Sequence, residues 1–418
     1  MVEIDKNNPT IRNPNSPLPQ GWRWVKLGEL FDVQQGVAMS PQRREGISPH
    51  SFLRTLNVLW EHIDLSMLDE MDFTDEEVTK LSLKRGDLLV CEGGEVGRTA
   101  IWRGELEGCL HQNHIHRLRR LNDNVVPDFY MYWMQAAFQV FGSYSGQESK
   151  TTIPNLSGSR LKSFTVPLLP VEEQRRIAAK IQELMAEVEH ARTACEKQLE
   201  AAKALPSSYL RQAFESEDAR KWEGRRLGEL FHVQQGAAMS PARREGISPH
   251  PFLRTLNVLW GHIDLSMLDE MDFTDEEVAK LSLRPNDLLV CEGGEVGRTA
   301  IWRGELRVCL YQNHIHRLRR LNDNVVPDFY MYWMQAAFQV FGAYSGQESK
   351  TTIPNLSGSQ LKSFKVPRPS IEKQKRIASE LRDKISRAEK LKAAIEKQLE
   401  AIDALPQAIL KKAFSGEM

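Results

Sequence analysis

Four groups of residues in this chain have the types and spacing to do chemistry. Cys109 with His111, His114 and His116 offers a thiol and three imidazoles, the ligand types of zinc. No second cysteine stands close by, and alternation puts His114 and His116 on one face of a strand, so the reading is structural. GGEVG, Gly93 to Gly97, has the glycines of a phosphate loop, but no Lys-Ser/Thr follows and strand-like runs flank it; it reads as a tight hairpin. Asp128, Glu148 and Lys150, repeated as Asp328, Glu348 and Lys350, have the lettering of a self-sufficient magnesium-dependent DNA endonuclease, with carboxylates for the metal and a lysine for the attacking water. Such a site needs its carboxylates on adjoining strands, whereas Asp128 opens a helix and Glu148 falls in a loop beyond it. A methyl-transfer signature is missing: the sequence has no glycine-rich strand-to-helix turn and no Asn/Asp-Pro-Pro-aromatic tetrapeptide. By itself the chain reads as non-catalytic, with no metal site and no cofactor of its own.

The fourth group suits the edges of base pairs. Gln34 and Gln35 lead to a loop with Arg43 and Arg44; Arg54 and Asn57 lie in FLRTLNV; Gln112, Asn113 and His114 precede the basic run Arg117, Arg119, Arg120; Gln147, Lys150, Thr151 and Thr152 sit in a polar loop. Arginine suits guanine, glutamine and asparagine suit adenine, and lysine and threonine suit phosphates or bases. All of them recur two hundred positions on, as Gln234, Gln235, Arg243, Arg244, Arg254, Asn257, Gln312, Asn313, His314, Arg317, Arg319, Arg320, Gln347, Lys350, Thr351 and Thr352.

The elements that must position these side chains follow from periodicity. LFDVQQG, SFLRTLNVL, GDLLVCEGG, GRTAIWR and HIHRLRRL are rich in aliphatic and β-branched residues and read as strands. DEEVTKLSL is a short helix capped at Thr74 or Asp75, and VPDFYMYWMQAAFQVFGS is a helix with Pro127 at its start and Gly142 at its end. LKSFTVPLLP reads as a strand leading into a long charged helix from Val171 to about Leu205. The proline of LPSSYLRQAF and of LPQAILKKAF is expected to break or kink each long helix before a short amphipathic tail.

The whole series is a duplication of two large units. Between Val25 and Thr165 and their counterparts Arg225 and Lys365 about 17 positions differ, His111 and Tyr311 among them, which counts against a metal site. The long helices have diverged further but keep an apolar seam at Ile177, Ile181, Leu184, Val188 and Leu199, and at Ile377, Leu381, Ile385, Leu391, Ile395 and Leu399. Neither stripe can be buried alone, so the two helices are expected to pack on each other. The fold class is α+β: a tail at 1–18, globular domains at 19–166 and 219–366, and helical spacers at 167–218 and 367–418.

A chain of 418 residues exceeds one ordinary core. With no long apolar run, an Asn- and Pro-containing N-terminus, and five scattered cysteines, the chain is expected in the cytoplasm. Its net charge of −1 predicts weak DNA binding by the chain alone, with charge brought by a helper. The acidic stretch from Asp64 to Glu77 against the Arg117 to Arg120 run predicts a DNA side and a non-DNA side on each domain.

LPQGWRWVKLGELF, VPLLPVEEQRRIAAKI, LPSSYLRQAF and the closing LPQAILKKAFSGEM resemble the specificity subunits of type I restriction-modification systems over nearly the whole chain. Arg368, Pro369 and Ser370 in place of Leu168, Leu169 and Pro170 depart slightly from that pattern. The resemblance implies two pseudo-twofold-related target-recognition domains, held apart by two long antiparallel coiled-coil helices that act as a ruler. Each domain would read one half of a split site in double-stranded DNA. It also implies two copies of a methyltransferase subunit, which use S-adenosylmethionine on a flipped adenine, and, for restriction, a motor-nuclease subunit. Because the two domains here are nearly alike, the expected target is an interrupted palindrome.

Overall fold

The computed structural model describes residues 21–142, 156–342 and 356–418, and the chain divides into two units, residues Met1–Cys195 with Gln398–Met418 and residues Glu196–Lys397. In unit 1, alternation of Phe31 and Val33 with polar neighbours forms β2 (Phe31–Gln35), after β1 (Arg23–Lys26). β3 (Pro49–Leu53), β4 (Asp69–Asp72), β5 (Leu88–Cys91), β6 (Thr99–Ile101), β7 (Leu110–His111) and β8 (Ile115–Arg120) follow, with α1 (Asp75–Leu81) between β4 and β5. Then come α2 (Pro127–Gln135), α3 (Gly158–Ser163), β9 (Thr165–Leu168) and the long α4 (Val171–Phe214). The antiparallel sheet β2-β8-β5-β6 is buried on both faces at Leu88, Leu89 and Val90. A second sheet, β4-β3-β7, has a parallel β3/β7 pair, and β1 pairs antiparallel with β9.

Unit 2 repeats the series. Its strands are β10 (Gly224–Arg226), β11 (Phe231–Gln235), β12 (Pro249–Leu253), β13 (Asp269–Asp272), β14 (Leu288–Cys291), β15 (Thr299–Ile301), β16 (Leu310–Tyr311), β17 (Ile315–Arg320) and β18 (Lys365–Pro367). Its helices are α5 (Leu227–Leu230), α6 (Asp275–Leu281), α7 (Pro327–Gln335), α8 (Gly358–Ser363) and α9 (Ile371–Asp403), and the chain ends in α10 (Leu405–Ser415).

Each main core is closed by the start of one long helix and the tail of the other. In unit 1, Ile177 and Ile181 from α4 and Leu410, Ala413 and Phe414 from α10 join Phe31, Leu118 and Phe129. Phe414 meets Phe129 and Trp133 edge-on, with ring centroids 5.4 and 5.1 Å away. In unit 2, Phe214 takes the same place against Phe329 and Trp333, at 5.5 and 5.2 Å, beside Ile377 and Leu381. The helices run antiparallel within each unit. Arg176 donates to the Met418 carbonyl at 3.0 Å while Arg192 pairs with Asp403 at 3.3 Å. Lys384 donates to Gln212 at 3.4 Å while Lys373 pairs with Asp218 at 2.8 Å.

The glutamine of the helix-start motif has a structural job. Gln174 is fully buried; its Oε1 accepts from the Val126 amide at 2.9 Å, and its Nε2 donates to the carbonyls of Asn124 and Leu169, each at 2.8 Å. Gln374 repeats this with Val326, Asn324 and Pro369.

Several expectations need correction. α4 continues through Pro206 to Phe214, whereas the chain breaks between α9 and α10, at Ala404. A proline removes one N–H and crowds the preceding turn; in α4 the buried Leu210 and Phe214 hold the tail in helical register. Leu391 does not lie in the seam; it is 48% exposed, while Ile395 and Ile402 are buried. Ile177 and Ile181 serve a domain core as well as the pairing of helices. LKS is helical at the end of α3, and SFLRTLNVL leaves the strand at Leu53 for a single 3-10 turn. The acidic DEMD is strand β4, its charge tolerated because Asp69 and Asp72 find internal partners.

Candidate nucleic-acid interface

At one end of the four-stranded sheet, β2, β5 and β8 bring together residues that lie far apart in sequence. Gln35 is opposite His116, and Cys91 is opposite Ile115, so Gln35, Glu92 and the 112–114 turn meet at this rim. Gly36 passes so close to that turn that a Cβ there would lie 2.1 Å from the His111 carbonyl oxygen; only glycine fits. Gln35 Nε2 donates to Glu92 Oε2 at 3.0 Å and to the Asn113 carbonyl at 2.8 Å. The Glu92 amide donates to the His114 carbonyl at 2.9 Å, and the Glu92 carbonyl accepts from Leu156 at 3.0 Å. The His114 ring is exposed, with Nδ1 3.8 Å from Glu92 Oε2. Gln34 Nε2 donates to the Gln35 carbonyl at 2.8 Å. Unit 2 repeats the rim: Gln235 Nε2 reaches Glu292 at 3.1 Å and the Asn313 carbonyl at 2.9 Å, and Gln234 donates to the Gln235 carbonyl.

The arginines are mostly committed elsewhere. Arg43 grips Glu77 with both terminal nitrogens at 2.8 and 2.7 Å, and Arg243 does the same to Glu277. That guanidinium draws the Glu77 carboxyl down to about 2. Arg54 lies 3.2 Å from Asp69, which Arg44 also approaches at 3.9 Å while staying largely exposed; Arg254 and Arg244 share Asp269 in the same way. Two of the three arginines of the basic run are structural, while Arg120 is half exposed, 3.2 Å from Asp123. Arg117 is buried against Asp32 at 2.8 Å, and Arg119 binds the buried Asp87 through two nitrogens at 2.8 and 2.6 Å. In unit 1 these arginines pair with acids inside the domain, whereas in unit 2 His232 stands in place of Asp32, and Arg317 donates to the Lys280 carbonyl and lies over the Tyr311 ring.

Asn57 is fully buried. Its Oδ1 accepts from the Arg54 amide, and both amide protons are used on the carbonyls of Asp64 and Met67, so no donor is left for a base; Asn257 is held identically. Gln112 and Gln312 are also buried beneath the rim. His116 is buried and bonded to the Leu156 carbonyl, while His114 lies in the turn, so the two do not share a strand face as expected. Burial drives the His111 imidazole down to about 3 and the Cys109 thiol up to about 12, which keeps both neutral. Among the described residues there is no His/Cys/Asp/Glu group that could hold a metal ion.

GGEVG forms the β5–β6 hairpin, with Gly94 and Gly97 at positive φ and Gly97 tight against the Phe138 ring. Asp128 at the start of α2 pairs with Arg103 at 2.7 Å. Gln147, Glu148, Lys150, Thr151 and Thr152, with Gln347, Glu348, Lys350, Thr351 and Thr352, lie outside the described residues. Glu92 and Glu292 were not among the candidates read from sequence. The only hint was that they follow a strand and persist in both copies.

A family model for the type I restriction modification DNA specificity domain matches this chain twice, over residues 19–200 and 219–401. The EcoBI specificity subunit of Escherichia coli is 24% identical over 360 residues, covering 79% of this chain and 73% of that protein. The MjaVIII specificity subunit of Methanocaldococcus jannaschii is 21% identical over 432 residues, covering 96% and 94%. The crystal structure of the HsdS subunit from Thermoanaerobacter tengcongensis superposes with a TM-score of 0.68 at 20% identity, over 98% of this chain and all of that one. A chain from a study of type I R-M complex assembly and conformational transition gives 0.71 at 21% identity, over 96% and 100%.

Proposed function

This chain belongs to the type I restriction-modification DNA specificity family and carries its domain twice, and from that premise we propose that it reads inverted copies of one short DNA word. The observation that carries this is the repeated rim. Gln34, Gln35, Glu92, Asn113 and His114 recur with the same hydrogen bonds in unit 2, in domains that differ at about 17 positions. Two equal readers joined through helices that pair antiparallel in each unit call for a bipartite, palindromic target. The side chains proposed to reach DNA are Gln34, Gln35, Asn113, His114 and the exposed Arg44, with their repeats; Gln147, Lys150, Thr151, Thr152 and their repeats are proposed for the same role. Arg43, Arg54, Asn57 and Gln112 shape that surface from within.

The chain contributes recognition without catalysis. Two methyltransferase subunits dock on the helices and domains and bring S-adenosylmethionine; a motor-nuclease subunit joins for restriction. The helices set the spacing between half-sites. Among the described residues no helix is long and apolar enough to cross a membrane, which accords with a place in the cytoplasm. The near-zero net charge leaves little phosphate attraction to the chain alone. An anisotropy titration tests this division of labour: the chain alone should bind DNA weakly and without sequence preference, and tight specific binding should need the methyltransferase subunit. Nanomolar specific binding by the isolated chain would contradict it. Magnesium-dependent plasmid cleavage abolished by Glu148→Ala with Glu348→Ala would instead favour a nuclease.

A further inference from the structure

We propose that Glu92 and Glu292 are positioning residues for specificity. They clamp Gln35 and Gln235 so that each presents only a carbonyl oxygen to DNA and accepts from one exocyclic amino group, on adenine or cytosine. The inference rests on the DNA-reading assignment above and deepens it.

A glutamine amide has two N–H donors and one carbonyl acceptor. Both donors of Gln35 are committed, one to Glu92 Oε2 at 3.0 Å and one to the Asn113 carbonyl at 2.8 Å. Both partners can only accept, so the opposite amide orientation would set oxygen against oxygen twice. Gln35 is nonetheless exposed, and among the described residues no bond to its Oε1 is found. The clamp itself is rigid: the Glu92 side chain is 8% exposed, and its backbone is tied to His114 on one side and Leu156 on the other. Gln235, Glu292, Asn313 and Leu356 repeat the arrangement.

An unrestrained glutamine can present either end of its amide, and pairs with adenine through both. A clamped one cannot. Adenine N6 or cytosine N4 can donate to the fixed Oε1, whereas guanine O6 or thymine O4 at that place would face it oxygen to oxygen. Discrimination thus comes partly from repulsion of the wrong base.

The test is methylation mapping with the full chain and its methyltransferase subunit, comparing wild type with three double variants and checking each for folding by thermal melting. In E92M/E292M the amide is released and can turn an N–H outward. Discrimination should fall from about tenfold to none at one position in each half-site, symmetrically, while every other position is unchanged. E92Q/E292Q should keep the wild-type map, because the amide oxygen introduced at positions 92 and 292 can still accept from Gln35 and Gln235. Q35M/Q235M should lose discrimination at the same position. A wild-type map with E92M/E292M, or relaxation spread evenly over all positions in a variant that melts like wild type, would overturn the inference. If E92M/E292M does not fold, Q35M/Q235M decides: loss at one position supports the inference, and an unchanged map sinks it. A wild-type protein that directs no bipartite modification sinks the underlying reading instead, so the two failures are distinguishable.

Discussion

Arg382 on α9 donates to the Asp328 carboxylate at 2.6 Å, whereas the equivalent place on α4 is Gln182 and Asp128 keeps Arg103 at 2.7 Å. The side chain of Asp328 is 10% exposed and that of Asp128 35%. Two arginines outweigh burial and hold Asp328 below the usual carboxylate range. Twin domains thus grip their long helices differently. Arg382→Gln should loosen α7 against α9 by about 0.5–1 kcal/mol, since the arginine is itself half exposed. Amide exchange checks this: protection should drop in Pro327–Gln335 and stay constant in Pro127–Gln135.

The aromatic tails at Phe214 and Phe414 close different units. Phe414→Ala should destabilise unit 1 by about 3–5 kcal/mol through lost burial and the cavity left behind. Phe214→Ala should act on unit 2 by a similar amount. Limited proteolysis followed by fragment mapping separates them: each variant should open its own unit first, although residue 414 lies far along the sequence from the Met1–Cys195 portion of unit 1.

Glu77, held by Arg43, titrates at about 2 in the folded chain. A depressed carboxylate contributes stability above its unfolded value, and that contribution is lost as pH falls from about 4.5 towards 2. After solvent screening the contribution is on the order of 1 kcal/mol per unit, with Glu277 acting likewise. Glu77→Gln with Glu277→Gln should flatten the acid limb of a stability profile measured between pH 5 and pH 2 (about the range this linkage spans). The same pair makes Arg43→Ala a stability variant, so its methylation map should keep the wild-type bases.

Asn57→Ala should cost unit 1 about 1–3 kcal/mol by orphaning the Arg54 amide and the Asp64 and Met67 carbonyls. Denaturant unfolding measures it. The surviving folded fraction should retain wild-type target choice, because Asn57 offers nothing to a base.

How much could be read in advance depends on whether the signal was local. The duplication, the capped helix at Thr74, the hairpin at Gly93 to Gly97 and the long helices all carry short-range patterns that survive folding. The role of Arg117 and Arg119 was not legible. A run of arginines looks like a phosphate patch until Asp32 and Asp87, remote in sequence, are seen against it. Glu92 was missed for the same reason, since its meaning lies in Gln35 and Asn113. Strand β4 was hidden because DEMD has the composition of a loop, and its aspartates are satisfied by groups remote in sequence, Arg44, Arg54 and the amides of Gly46 and Ser48. Pro206 misled because the packing of Leu210 and Phe214 outweighs a lost hydrogen bond.

The central claim is that equal domains read equal words in opposite directions. Mapping every methylated site in DNA from cells that express this chain with its methyltransferase subunit tests it most directly. The account predicts a split target whose two halves are the same sequence inverted about an unread spacer. Halves of unlike sequence, or like halves in the same direction, would contradict it.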